Sequence, residues 1–374
     1  MTMFLTRITL LFTAIIGFSG CKNKPEQPNT DTFYLGGDLS YVNEMLDCGA
    51  EYRNQGKLVD PYQLFGQKGA NISRLRLWHN PKWTNYSNYK DVELAIERSK
   101  EAGMEILLDF HYSDTWADPQ HQVIPKAWEN ISDLNALSDS LYGYTYQTLS
   151  KLYAAGLLPD LVQVGNETNI EVMQDSATMN VDSINWKRNI TLLNAGLQAV
   201  KDFSTQSGQG IERMIHIAQP ENGLWWFKEA KENGLGDFEW IGLSYYPKWS
   251  TYGLNQLSIA LDSLIKTYEK DLMIVETAYP HTLENVDEAH NILGEDALVE
   301  AYPATPEGQL AFMNELKKVT LESGGRGVVY WEPAWVTSAC STKWGQGSHW
   351  ENASFFNGKK GNEALGIFDF FLQF

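Results

Sequence analysis

The sequence predicts an α/β fold: a single (β/α)8 TIM barrel with its active site at the C-terminal ends of the strands. Three observations lead there. Eight short β-rich segments recur along the chain, and amphipathic stretches of helical period separate most of them. Polar and aromatic residues gather where the β-rich segments end, which is where barrels of this kind build a site. No tandem repeat, low-complexity tract or linker interrupts the chain after residue 32, so 33–374 reads as one domain. A doubly wound sheet is the alternative, but no glycine-rich phosphate loop follows the first segment.

The segments, in order, are Tyr34–Ser40, Ile72–Trp78, Glu105–Tyr112, Asp160–Glu167, Met214–Gln219, Trp240–Tyr246, Leu272–Thr277 and Gly327–Trp331. Between them, Tyr89–Ala102, Asp133–Ala155, Trp186–Phe203, Leu254–Lys270 and Pro306–Glu322 carry apolar residues at helical spacing. Strand alternation then sorts the faces. It sends Arg74, Arg76 and Trp78 inward, and likewise Gln163, Gly165 and Glu167. It also sends Tyr246 inward, and Glu276 together with Ile274.

Residues 1–20 read as a signal peptide: Arg7 precedes an apolar run from Ile8 to Phe18, too short for a comfortable membrane span. Phe18-Ser19-Gly20-Cys21 resembles a bacterial lipoprotein cleavage box. Cys21 would carry the lipid, and polar, Pro-containing residues 21–32 would form a tether. The expected location is therefore the bacterial envelope, at the outer membrane, with either face open. Cys48 and Cys340 remain, and an oxidising compartment invites a disulfide. The cysteines lack metal-ligand spacing, and no metal is expected among the site residues. Asp287, His290 and Asn291 offer calcium-ligand types in one loop, but they do not match EF-hand spacing and read better as a solvated loop.

A net charge of −18 excludes nucleic acid as a partner and disfavours an acidic polymer, leaving a neutral or cationic substrate. The 13 tryptophans suit sugar rings, whose faces are apolar and whose edges are hydroxyls. Trp78, Trp83, Trp116, Trp128, Trp225, Trp226, Trp331 and Trp335 lie beside polar residues. Glu167 and Glu276 end the fourth and seventh segments, which face each other across a barrel mouth. Glycoside hydrolysis needs such a pair, one acid and one nucleophile or base, and their separation decides between retention and inversion. Arg74 or Arg76, with the Tyr246 hydroxyl, would keep Glu276 charged. Glu167 has no cation in its segment and would hold its proton. His111 reads equally as a sugar ligand or a structural histidine, whereas His216, inside the fifth segment, reads as structural. Asn166 would hold a sugar 2-hydroxyl.

The runs Asp109–Pro119 (DFHYSDTWADP), Gln122, Pro125–Trp128, Gln163–Glu167 (QVGNE), Ser244–Pro247 (SYYP), Glu276–Tyr279 (ETAY) and Tyr330–Trp335 (YWEPAW) closely resemble glycoside hydrolase family 53, from about Tyr34 to Phe370. The resemblance implies an arabinogalactan endo-β-1,4-galactanase acting on the galactan side chains of pectin, with retention. It places the acid/base on Glu167 and the nucleophile on Glu276. It puts Asp38, Arg74, Trp78, His111, Trp116, Asn166, Tyr246, Trp331 and Trp335 in or around the sugar groove. A monomer without a cofactor is expected. Some bacterial members bind calcium through long loops after strands seven and eight, and the stretch Trp350–Ile367 is short here. In such a barrel Cys48 and Cys340 follow neighbouring strands, so the expected disulfide is Cys48–Cys340. Two other functions compete: a related barrel enzyme cutting β-1,4-glucan or mannan, and a non-catalytic glycan-binding lipoprotein. The Asp109–Trp128 run argues against the first, and the paired glutamates argue against the second.

Overall fold

The computed structural model describes residues 32–343 and 345–372. The expected signal peptide, Cys21 and all but the last residue of the tether lie outside the described residues. Eight parallel strands close into one barrel: β1 (Tyr34–Asp38), β2 (Ile72–Leu77), β3 (Glu105–Phe110), β4 (Leu161–Val164), β5 (Glu212–Ala218), β6 (Trp240–Ser244), β7 (Asp271–Glu276) and β8 (Gly327–Tyr330). Each strand pairs with its neighbours in sequence, and β1 closes the ring on β8 in the register Tyr34 to Gly327. The closure is tight: a Cβ on Gly36 would lie 1.8 Å from the Ile72 carbonyl oxygen, so β1 approaches β2 only with glycine there.

The helices are α1 (Val42–Asp47), α2 (Pro61–Gln67), α3 (Tyr89–Glu101), α4 (Leu134–Ala154), α5 (Trp186–Ser207), α6 (Pro220–Glu232), α7 (Leu254–Tyr268) and α8 (Pro306–Glu322). Their starts are written locally. Asn88, Asp133, Asn185 and Thr305 each accept a backbone N–H of the first turn, a cap that contributes about 1 kcal/mol apiece. Pro220 and Pro306 open α6 and α8, where a missing N–H costs nothing.

Two apolar layers result. Outward residues such as Leu75, Leu108, Val162 and Leu243 pack under the helices, while Ile72, Leu107, Leu161, Met214, Trp240 and Met273 fill the barrel floor. Moving two residues up β2, β3, β4 and β5 from that floor reaches Arg74, Asp109, Gln163 and His216, all buried. The alternation thus places a charged layer directly above an apolar plug.

All eight expected strands are present, but each stops one to three residues short of its expected C-terminal end, β4 most of all at Val164. The ladder ends there because Gly165 and Glu167 turn to positive φ, 84° and 43°. Helices α1, α2 and α6 were not expected. Neither was a small four-stranded sheet of Tyr52–Asn54, Lys57–Val59, Phe356–Asn357 and Glu363–Ala364, which joins the first crossover to the C-terminal segment. The face assigned to Ile274 is corrected. Ile274 packs outward with the helices, whereas Met273 and Val275 point into the barrel. Glu276 still reaches the mouth because the β6–β7 register shifts at Leu243/Ser244, where Ser244 pairs with Glu276 instead of Val275.

Cys48 and Cys340 form a disulfide, with Cα atoms 5.4 Å apart across 292 residues of sequence. It ties the end of α1 to the long loop after β8.

Candidate active site

Arg74 organises the charged layer. One guanidinium nitrogen, Nη1, lies 2.9 Å from Asp38 Oδ2 and 2.9 Å from Glu276 Oε1. The other, Nη2, donates to Asp109 Oδ2 at 2.8 Å and to Asn166 Oδ1 at 2.7 Å, while Nε donates to Gln163 Oε1 at 3.2 Å. One buried cation therefore faces three carboxylates. A planar five-donor fork can serve them together where a point charge could not.

Glu167 and Glu276 face one another over this layer. An oxygen of each, with a ring nitrogen of His216, falls within 4.8 Å of the others. That approach suits a covalent double displacement and leaves too little room for the water an inverting pair must hold between its carboxyl groups. Their surroundings differ. Glu276 touches the Arg74 guanidinium and accepts a hydrogen bond from the Tyr246 hydroxyl at 3.4 Å. Among the described residues Glu167 has no ion-pair partner; its Oε1 accepts a hydrogen bond from Ser244 Oγ at 2.5 Å. Burial pushes Glu167 up to about 7, against the Ser244 bond that favours its charged form. Burial also lifts Glu276, with Arg74 opposing. Two carboxyl groups this close titrate as a pair, and the proton they share belongs on the member without a cation, Glu167.

The three atoms from Glu167, His216 and Glu276 also have metal-ligand spacing. Both His216 nitrogens are occupied by protein partners, however: Nδ1 by Gln163 and the Glu167 backbone, Nε2 by Ser244. That leaves His216 no lone pair directed at an ion.

Several expected sugar ligands stand behind the groove surface. His111 is 2% exposed, and both of its nitrogens are used: Nε2 donates to Asp109 and Nδ1 accepts from the Ala117 amide. Its structural reading is the one the geometry favours. Asn166 Nδ2 donates to the Ala117 carbonyl at 2.7 Å, so it too fixes the loop after β3. Asp38 is held by Ser40 and Arg74. Trp78 is 2% exposed and packs against Trp83 and Trp116. Of the two arginines offered as partners for Glu276, Arg76 is the wrong one. It pairs with Glu332 at 3.0 Å and sits 4.1 Å from the Trp116 ring, bracing that indole by a cation–π contact. Trp226 is fully buried under the helices and belongs to the core.

Around the mouth, Trp116, Trp331, Trp350 and Tyr246 follow one another at ring separations of 5.6, 6.4 and 5.9 Å. Trp249, 46% exposed, continues the arc 5.0 Å beyond Tyr246. Trp335 is stacked on Tyr41 at 4.0 Å. Asp287 and Asn291 hydrogen-bond across from the loop after β7 to Ser348 and Glu351 on the loop after β8.

Sequence reasoning missed Ser244, Asp109, Glu332, Trp249 and Trp350. Strand parity carried the signal for two of them: Ser244 is in phase with Trp240, and Asp109 with Leu107.

A family model described as glycosyl hydrolase family 53 matches residues 34–371. The chain belongs to glycosyl hydrolase family 53. It is accordingly a glycoside hydrolase. Its relatives in family 53 include an arabinogalactan endo-β-1,4-galactanase of Cellvibrio japonicus, 55% identical over 98% of this chain and 96% of the relative. An endo-β-1,4-galactanase of Bacillus subtilis is 35% identical over 84% of this chain and 72% of its own length. Among solved structures, the family 53 catalytic domain of Ignisphaera aggregans superposes with a TM-score of 0.81 at 28% identity, covering 91% of this chain and 95% of that one. One of two fungal β-1,4-galactanases gives 0.78 at 32% identity, covering 91% and 99%.

Proposed function

We propose that this chain is an endo-acting β-1,4-galactanase that cleaves the galactan side chains of type I arabinogalactan with retention of configuration. Glu276 attacks the anomeric carbon. Glu167 gives its proton to the departing oxygen, then takes one from the water that releases the sugar. The observation that carries this reading is the opposed carboxyl pair within 4.8 Å, one member held by Arg74 and the other only by Ser244. The names of the Cellvibrio and Bacillus relatives support galactan as the polymer.

The loops at the strand ends form an aromatic-lined mouth, which suits polymer binding in mid-chain. Trp116, Trp331 and Tyr246 face the reacting sugar, and Asp38, Arg74, His111, Asn166, Trp78 and Trp335 hold the groups that touch it. No cofactor is needed for this chemistry. The protein works as a monomer anchored through Cys21 in the bacterial envelope. The N-terminal end of β1, where such a tether would arrive, lies at the opposite end of the barrel from the mouth. Radiolabelled palmitate incorporated by the wild type and absent from Cys21→Ser supports the anchor; equal labelling contradicts it.

Digestion of potato galactan, with β-glucan and β-mannan as controls, tests the substrate. The expected result is an initial ladder of galacto-oligosaccharides from galactan alone. Galactose as the sole early product, or cleavage of a control polymer instead, defeats the reading.

A further inference from the structure

Glu167 Oε1 is the end of a buried hydrogen-bond chain that the reaction as described does not use. His216 Nδ1 faces two donors, the Glu167 backbone N–H at 3.3 Å and Gln163 Nε2 at 3.1 Å. A ring nitrogen that accepts a fixed backbone N–H carries no proton, and the Glu167 amide makes Nδ1 that acceptor. Asn166 Oδ1 also lies 3.0 Å from it, but the Glu167 backbone N–H cannot turn away and needs Nδ1 as its acceptor. Burial, with Arg74 nearby, keeps the imidazole neutral, so its one hydrogen is on Nε2. That nitrogen lies 2.9 Å from Ser244 Oγ and donates to it. The Ser244 hydrogen is then directed at Glu167 Oε1, 2.5 Å away. His216 and Ser244 are both fully buried, so no water competes for these positions.

We propose that His216 and Ser244 are positioning residues that fix Glu167 Oε1 as an acceptor and so confine the acid proton to Oε2. The proposal rests on Glu167 being the acid/base. In the first step the Oε2–H bond breaks as the proton passes to the glycosidic oxygen, the bond from that oxygen to the anomeric carbon breaks, and Glu276 forms the new bond to carbon. In the second step water attacks the anomeric carbon, Glu276 leaves, and Oε2 takes the water proton while Ser244 steadies the charge on Oε1. Without the chain, the proton could sit on either oxygen and would face the scissile bond only part of the time. The charged and titratable groups around Glu167 are Glu276, Arg74, Asp109, Asp118, Tyr246 and His216; a change at Ser244 removes none of them.

The test is Ser244→Ala, assayed as kcat/KM against pH on galactan and on a dinitrophenyl β-galactobioside, whose leaving group needs little protonation. Losing a hydrogen bond to the carboxylate should move the alkaline limb on galactan up by about one pH unit. The maximum on galactan should fall roughly tenfold, the scale of weakened acid catalysis, while the activated substrate changes less than about twofold. An unmoved limb with equal losses on both substrates overturns the proposal and marks Ser244 as merely structural. Ser244→Cys keeps a weaker donor and should shift the limb in the same direction by less. If the alanine variant loses its near-UV circular dichroism, the cysteine variant decides by the same criteria. Glu167→Gln separates the two levels of the argument. It should lose galactan activity while keeping the activated substrate, and equal loss on both would remove the acid role itself.

Discussion

Replacing Arg74 with glutamine withdraws the one cation among the described residues in contact with Asp38, Asp109 and Glu276 together, all within 2.9 Å of its guanidinium. Breaking one buried ion pair from one side costs about 3–5 kcal/mol, because the partner is left charged in a poor solvent. Three orphaned carboxylates do not cost three times that, since they take up protons instead. A net loss of about 4 kcal/mol, at roughly 2–4 °C per kcal/mol for a protein of this size or somewhat smaller, lowers Tm by about 10 °C. The same withdrawal acts on catalysis. Burial already lifts Glu276 and Arg74 opposes it, so without Arg74 the nucleophile stays protonated to higher pH. The acid limb of kcat/KM on galactan therefore moves up and the activity window narrows. Arg74→Lys restores charge but not the fork and should recover only part of either loss. Calorimetry and a pH–rate series read both effects. A variant melting within about 2 °C of wild type with its acid limb unchanged would refute the view that this guanidinium holds the site together.

The remaining predictions are simpler. Glu276→Gln should bind galactan with little change but lose at least about a thousandfold in kcat, because the covalent step has no nucleophile; near-normal turnover removes its role. In the wild type, galactan hydrolysis should decline on the alkaline side near pH 7. Burial holds the proton of Glu167 up to about 7, and above that the acid is spent; activity rising steadily past pH 8 contradicts this. Reduction, or Cys340→Ser, opens a covalent loop spanning 292 residues and should lower stability by up to about 5 kcal/mol; titration with denaturant under oxidising and reducing conditions measures it, and coincident curves would show no contribution. Trp249→Ala should weaken galactan binding by about 1–2 kcal/mol, some 5–30-fold in KM, with kcat nearly intact.

The barrel and its two glutamates were legible because they depend on patterns held within single segments. Inward and outward parity placed Arg74 and Gln163, and α8 begins and ends at Pro306 and Glu322 as its apolar spacing indicated. What failed depends on neighbours. Ile274 was misfaced because the irregularity that reorients Glu276 belongs to the pairing with β6, which the letters of β7 do not carry. Pro220-Glu221-Asn222-Gly223 looks like a turn, and only packing against the barrel makes it the first turn of α6. His111 and Trp78 end strands just as a ligand would. Their lack of exposure follows from the loop after β3 folding over them through Ala117 and Trp116, a contact no local pattern encodes. Arg76 and Arg74 are equivalent by parity. Which one meets Glu276 was settled by Glu332, whose place after β8 brings it to Arg76.

The central claim is that two carboxyl groups act on one anomeric carbon, with Glu276 forming a bond to it. Trapping with an activated, fluorinated galactobioside tests it directly, since the fluorine slows release of the glycosyl-enzyme. Peptide mass spectrometry should find one sugar per chain, on the peptide bearing Glu276. A label on Glu167, or no label from an inactivator that is demonstrably consumed, would contradict the account.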